Sequence, residues 1–219
     1  MSVGKVAKKS QRYNLPLAIV KSFWRSAAWK PAVFLLSLVP LAHLVWRFEN
    51  NDLGPNPLEE LTHVTGDWAI WFLLLSLAIT PLRRLLGQPD LIRFRRLLGL
   101  FAAFYAVLHT GVWAYFDKQL DPTELIADLT LRRFIIAGMI SLVILLILAA
   151  TSTNASIRFL GKNWRRLHRL VYLAAALAVL HYYWLVKADT RLPLSYAGIL
   201  LLLLLARTIP LRSNANLTK

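Results

Sequence analysis

Long runs of apolar residues separated by short polar loops dominate the chain. Most runs approach the roughly 20 residues that an α-helix needs to cross a lipid bilayer. The pattern therefore predicts an all-α integral membrane bundle of six transmembrane helices, with neither an internal repeat nor a soluble domain. The predicted spans cover residues 32–46, 68–86, 97–116, 134–150, 170–186 and 195–211. Pro40 and Pro81 lie inside two of them, where we expect local kinks.

The charged residues divide between the two sides of the predicted bundle. Of the 26 Lys and Arg residues, 20 fall in four segments that contain one acidic residue, Asp90. These segments are residues 1–31, 82–96, 152–169 and 206–219. Because basic residues concentrate in short cytoplasmic loops, both termini are expected in the cytoplasm. We divide the chain into a basic cytoplasmic N-terminal segment (1–31), a six-helix transmembrane domain (32–211) and a short cytoplasmic tail (212–219).

Composition narrows the chemistry further. Hydrophobic residues make up 57% of the chain, more than the core of one soluble domain would hold, so many side chains must face the lipid bilayer. The net charge of +15 is explained by the cytoplasmic loops, and no nucleic-acid partner is expected. The chain has no cysteine, which excludes thiolate ligation, iron–sulfur clusters and covalent haem attachment by its own residues.

His109 and His181 lie inside two of the predicted spans, where ionisable side chains are costly and usually functional. His109 lies twelve residues into the third span and His181 eleven residues into the fifth, which places both in the outer half of the membrane at similar depth. Two neutral imidazoles from facing helices can fill both axial positions of a haem iron, an arrangement suited to electron transfer. With no cysteine, a noncovalent haem b is the compatible form. The alternative is a pair of structural histidines bonded to helix backbones.

A third histidine lies at the cytoplasmic mouth of the fifth span. His168 precedes His181 by thirteen residues, about 20 Å along a continuous α-helix, which would suit a second haem. On an ideal helix, however, the two side chains would point about 140° apart. The corresponding position of the third span is Arg96, which cannot ligate iron. Two interpretations stay open: His168 ligates a second haem, or it is an interfacial histidine.

Other polar and aromatic residues have weaker assignments. Arg93, Arg95 and Arg96 could bind a flavin phosphate or a haem propionate, or could set topology and contact lipid headgroups. His43 and His63 are expected to form hydrogen bonds or contact a partner rather than bind metal. Five aromatic residues near the histidines could wall a porphyrin or belong to an interfacial belt. They are Tyr105, Trp113, Tyr182, Tyr183 and Trp184.

An ordered set of motifs between about Leu53 and Arg207 resembles the MsrQ (YedZ) family. The motifs are GPNPLEELTHVTG (54–66), ITPL (79–82), RRLLGL (95–100), LH (108–109), TST (151–153), LGK (160–162) and WRRLH (164–168). Members of that family are haem-binding membrane subunits of the bacterial periplasmic methionine sulfoxide reductase system. They fall within a wider ferric-reductase-like transmembrane group.

The resemblance implies an inner-membrane electron conduit rather than the catalytic subunit itself. Electrons would come from the quinone pool or a cytoplasmic flavin reductase. They would pass to a periplasmic molybdopterin subunit that reduces methionine sulfoxide in oxidised proteins. The family's haem histidines fall on His109, His168 and His181, and members are also described as binding FMN. Many two-haem relatives carry a second histidine on the third helix that is absent here, so one or two haems are compatible.

Two other functional classes are weighed against the electron carrier. A small-molecule transporter would more often carry carboxylates inside its spans, and the predicted spans contain no Asp or Glu. A passive membrane anchor for a partner subunit would have no use for two buried histidines at one depth. Both alternatives are therefore less favoured than electron transfer.

Overall fold

The computed structural model describes residues 28–208, and every regular element within that range is helical. The helices are α1 (Trp29–Glu49), α2 (Pro57–Leu85), α3 (Ile92–Val112), α4 (Pro122–Leu131), α5 (Arg133–Ala150), α6 (Asn154–Leu160), α7 (Lys162–Leu167), α8 (Leu170–Leu185) and α9 (Arg191–Thr208). A 3-10 turn precedes α3, and a π-helical turn, Trp113–Asp117, follows it. The all-α prediction is confirmed. The predicted tail 212–219 and nearly all of the predicted segment 1–31 lie outside the described residues.

Five helices in the described range are long and apolar enough to cross a membrane. They are α1, α2, α3 with its flanking turns, α5 and α9. Helix α8, which corresponds to the fifth predicted span, has 16 residues. At about 1.5 Å per residue it is shorter than the roughly 30 Å hydrocarbon core. The six-span arrangement and the cytoplasmic termini therefore stay predictions.

Helix α2 begins eleven residues before the predicted second span. Asn56 caps it: its side-chain oxygen accepts a hydrogen bond from the Glu59 backbone N–H at 3.4 Å, and its amide donates to the Glu59 carboxylate at 2.8 Å. Pro57 occupies the first turn, where its missing N–H is harmless. The predicted start at residue 68 was wrong because it followed hydrophobicity and overlooked this capping pattern.

Two closely packed helix pairs form the centre of the molecule, α2 with α3 and α5 with α8. Small residues at the contacts let the backbones approach: Ala102 and Ala103 on α3, and Ala174 and Ala175 on α8, are all buried. Helix α1 lies at the periphery and exposes apolar side chains such as Leu35. The centre of the molecule is thus built from two similar units.

The two pairs also share a sequence pattern, so the expectation of no internal repeat was wrong. Residues 102–109 of α3 and 174–181 of α8 match at six of eight positions, and both segments end in Ala-Val-Leu-His. The matching positions are 72 residues apart, and the final histidines are His109 and His181. The repeat is short and surrounded by apolar residues, which hides it in a hydrophobicity profile.

Pro40 and Pro81 lie inside α1 and α2, which continue through them. Beside Pro40, the hydroxyl of Tyr105 from α3 donates to the Ser37 carbonyl at 2.9 Å and accepts from the Leu41 N–H at 3.1 Å. These two backbone groups are one helical turn apart and would pair with each other in a regular helix. A fully buried side chain of α3 is thereby joined to α1 at its proline.

Candidate cofactor site

His109 and His181 meet at the centre of the molecule, one from each helix pair. Their ring centroids are 6.0 Å apart and the ring planes are inclined by 84°. The sequence analysis expects the two imidazoles to face each other from neighbouring helices, and the structure brings the rings together. Their role as ligands is a separate matter that depends on which ring nitrogens are available.

Each imidazole is fixed by a backbone carbonyl of the neighbouring helix. Nδ1 of His109 lies 2.9 Å from the Thr62 carbonyl oxygen, and Nδ1 of His181 lies 2.7 Å from that of Phe134. A carbonyl can only accept, so each Nδ1 carries the proton and each Nε2 holds a lone pair. Neither Nε2 bonds to another residue of the described range. Such a carbonyl commonly orients a metal-bound histidine from behind.

The separation of the rings fits one metal ion between them. Metal–imidazole bonds of about 2.0–2.1 Å would put the two nitrogens about 4 Å apart, with each ring centre roughly 1 Å farther back. The observed 6.0 Å between centroids agrees with that sum. Two axial imidazoles suit a metal whose porphyrin supplies the other four ligands. A purely structural pair would also explain the carbonyl bonds and an edge-to-face separation of 6.0 Å, but would leave both Nε2 atoms without a partner in the described range.

A cavity of about 360 Å³ opens beside the histidine pair. Its lining includes Trp113 and Tyr182, two of the five aromatic residues singled out in the sequence. The Trp113 indole nitrogen is buried and has no hydrogen-bond partner within residues 28–208, so it can donate to a ligand. Tyr105 instead belongs to the aromatic core, and Tyr183 and Trp184 are exposed on the outside.

Asp67 also lines this cavity, inside helix α2 and one turn after His63. Its carboxylate accepts a hydrogen bond of 3.5 Å from the Tyr196 hydroxyl. The expectation that no acidic residue lies within a span was therefore wrong, because α2 begins before the predicted boundary. Carboxylates therefore do not distinguish a transporter from an electron carrier in this chain, and the preference for a redox role depends on the imidazoles.

An ion network borders the cavity on the side of α4. Asp128 is buried and contacts Lys118 Nζ at 3.1 Å and Arg132 Nε at 3.0 Å. The hydrogen bond from Lys118 to Asp128 is the main reason that the pKa of Lys118 is raised. Arg132 itself lines the cavity. The network thus holds a guanidinium group at the edge of the site.

His168 lies apart from the histidine pair, in the turn between α7 and α8. The expectation of one continuous helix from His168 to His181 was wrong, so the distance and angle calculated for such a helix do not apply. The His168 ring stacks on Trp164 at 4.0 Å, and its Nε2 lies 3.2 Å from the Thr151 hydroxyl. Burial and then the charge of Arg95 lower the pKa of His168, against the opposing bond with Thr151.

The three candidate arginines have different surroundings. Arg95 acts electrostatically on His168. Arg96 donates to the Asn154 side chain at 3.2 Å, and the Arg93 guanidinium lies 4.9 Å from the ring centroid of Phe94. Arg96 thereby connects the start of α3 to the start of α6, while Arg95 acts on His168.

Comparison with known proteins agrees with this architecture. The family model of the ferric reductase like transmembrane component matches residues 65–179. The chain is 47% identical to the "Protein-methionine-sulfoxide reductase heme-binding subunit MsrQ" of Bordetella pertussis over 177 residues, which is 80% of this chain and 86% of that protein. The chain belongs to the MsrQ family of ferric-reductase-like transmembrane proteins. It is therefore a membrane protein.

Two further MsrQ proteins show similar agreement. The one from Xanthomonas campestris pv. campestris is 47% identical over 183 residues, covering 81% of this chain and 84% of that protein. The one from Herminiimonas arsenicoxydans is 46% identical over 181 residues, covering 81% and 83%. The sequence-based identification of the MsrQ family is thus confirmed.

In this MsrQ-family chain, sequence reasoning found the two imidazoles but missed what surrounds them. The carbonyls of Thr62 and Phe134 are backbone groups that residue type does not reveal. Gly66 and Gly138, one turn after those carbonyls, lie against the imidazoles. The 72-residue spacing shared by both glycines and both histidines was the signal that could have identified them.

Proposed function

We propose that this chain is the haem b-binding, electron-transferring membrane subunit of a methionine sulfoxide reductase system. The observation that carries the proposal is the histidine pair: two imidazoles 6.0 Å apart, each with Nδ1 on a carbonyl and Nε2 free. The name of its relatives, "heme-binding subunit", supports the same cofactor. The absence of cysteine supports noncovalent binding, as in a b-type haem.

A haem bound here would supply one-electron redox chemistry. His109 and His181 would hold its iron through Nε2, while the Thr62 and Phe134 carbonyls fix the rings and increase the basicity of the ligating nitrogens. Because two histidines would hold the iron, the group would transfer electrons rather than bind oxygen. Trp113 is placed to donate a hydrogen bond to an acceptor group at the edge of the cofactor.

A second redox site on the cytoplasmic side is part of the proposal. His168, together with Arg93, Arg95 and Arg96, would serve an electron entry point, as a ligand of a second haem or in an FMN site. Arginine forms paired hydrogen bonds with phosphate or carboxylate, which both cofactors carry. For His168 to ligate iron through Nε2, it would first have to release the Thr151 hydroxyl.

The proposed direction of electron flow follows the charge asymmetry. The basic loops would face the cytoplasm and the donor, either a quinone or a cytoplasmic flavin reductase. The acidic loops would face the periplasm and a molybdopterin methionine sulfoxide reductase, which would repair oxidised proteins there. The chain would be a multi-pass inner-membrane protein of six spans, with the short α8 as the fifth.

Reconstituted vesicles test this function directly. NADH with a flavin reductase, or a reduced quinone analogue, should reduce the bound haem, which is followed by its visible absorption. Oxidised molybdopterin reductase should then reoxidise it when added to the periplasmic face. The His181→Ala variant should support neither step. If the haem is not reduced by either donor, or is reoxidised equally well from both faces, the proposed function is wrong.

A further inference from the structure

Each axial histidine lies against a glycine of the helix that also provides its carbonyl. In α2, the Thr62 carbonyl is followed one turn later by Gly66; in α5, the Phe134 carbonyl is followed one turn later by Gly138. The carbonyl and its histidine are separated by 47 residues in both cases. The two helix pairs therefore contain the same three-part unit, namely a carbonyl, a glycine and a histidine.

The glycines are required by space rather than by backbone conformation, since both lie within regular helices. A Cβ at Gly138 would lie 2.7 Å from Nδ1 of His181 and 3.0 Å from its Cε1. A Cβ at Gly66 would lie 3.0 Å from Nδ1 of His109 and 3.1 Å from its Cε1. The 2.7 Å contact at Gly138 is too short for a real Cβ, so the imidazole of His181 must shift. The 3.0 Å contact at Gly66 is at the lower limit for such contacts. Either imidazole would have to move away from its carbonyl.

Building on the proposed haem site, we propose that Gly66 and Gly138 are positioning residues that seat the two axial imidazoles against the backbone of α2 and α5. Without a side chain, each helix surface is open, and the imidazole can reach the carbonyl one turn earlier. The orientation of each ring and the position of its Nε2 are fixed by this seat. The larger overlap at Gly138 makes the seat of His181 the more sensitive of the two.

Alanine substitutions with matched controls test this proposal. Gly111 and Gly198 are also helical glycines, but a Cβ at either would meet nothing within 4 Å. Alanine has a higher helix propensity than glycine, so the change in helix propensity should favour folding similarly in all four variants. A change seen only in Gly66→Ala and Gly138→Ala would therefore come from contact with the imidazoles. The variants Gly66→Ala, Gly138→Ala, Gly111→Ala and Gly198→Ala are purified and compared by haem content, electron paramagnetic resonance and midpoint potential.

The proposal predicts that Gly138→Ala lowers haem affinity by about 10-fold or more, the usual effect of disturbing the groups behind a metal ligand. It also predicts altered low-spin g values and a shifted potential. Gly66→Ala should change the same quantities less, and if Gly138→Ala fails to accumulate, Gly66→Ala alone decides. The proposal is overturned if Gly66→Ala, and Gly138→Ala where it can be purified, keep the wild-type spectrum and midpoint potential. It is also overturned if Gly111→Ala and Gly198→Ala change these quantities equally. A wild-type protein without a bis-histidine signal instead contradicts the haem site itself.

Discussion

His168 combines a partly buried ring with a neighbouring positive charge. Its pKa is lowered by burial and by Arg95. Folded protein therefore binds fewer protons at this site than unfolded protein, in which the pKa is about 6.5. Above that value both states are neutral at His168. As the pH falls below about 6.5, His168 is protonated in the unfolded state before it is protonated in the folded state. The folded state therefore loses stability until the pH reaches the pKa of His168 in the folded protein.

We therefore expect the melting temperature of the purified wild type to fall more than that of His168→Gln between about pH 7.5 and about pH 5.5. The variant His43→Gln serves as the control, because His43 is an exposed ring on α1 that stacks on Trp46. It should keep the wild-type pH dependence. Equal slopes for wild type and His168→Gln would show that His168 does not titrate in this way.

Single residues also show which parts of the site could be predicted from the sequence. His109 and His181 were predictable because ionisable side chains are rare among apolar ones. Their carbonyl partners were not, because every residue carries a carbonyl and only packing selects one. Asp67 was missed because the predicted span began one residue after it, and the surroundings of His168 depend on a turn that hydrophobicity does not reveal.

A single substitution on α3 can weaken the attachment of helix α1 to the rest of the molecule. It packs loosely at the edge, yet two of its backbone groups bond to the buried Tyr105 hydroxyl of α3. Tyr105→Phe keeps the ring and its stacking on Phe72 but removes both bonds. We expect a loss of about 1 kcal/mol or more in the free energy of unfolding, measured in detergent. Tyr183→Phe, which changes an exposed ring, is the control and should be neutral; equal effects would refute the role of the hydroxyl.

Among the helices, the hydrophobic pattern predicts which residues lie in the interior of a helix, whereas capping residues determine where the helix begins. Helix α5 begins one residue before its predicted start because the apolar run and the helix coincide. Helix α2 differs because its first turns are polar and are set by Asn56 and Pro57. Helix α4 likewise begins at Pro122 after Asp121, whose side chain accepts from the Thr123 N–H at 2.8 Å. Both starts follow capping rules and were not read from the apolar pattern.

The whole molecule allows a clean test of membrane orientation because the chain contains no cysteine. Asp189→Cys lies between α8 and α9, and Arg158→Cys lies on α6; both positions are exposed. A membrane-impermeant maleimide should label Asp189→Cys from the periplasmic side of intact cells, and should label Arg158→Cys only in inverted vesicles. The reverse pattern, or labelling of both from one side, would contradict the topology inferred from the charges.

The most direct test of the central claim is the electron paramagnetic resonance spectrum of the oxidised, purified protein. Since the imidazole planes are inclined by 84°, bis-histidine ligation by His109 and His181 predicts a strongly anisotropic low-spin ferric haem signal. That signal should disappear in His109→Ala and in His181→Ala, and should persist in His43→Ala. A wild-type spectrum in both of the first two variants would contradict the assignment of these histidines as the axial ligands.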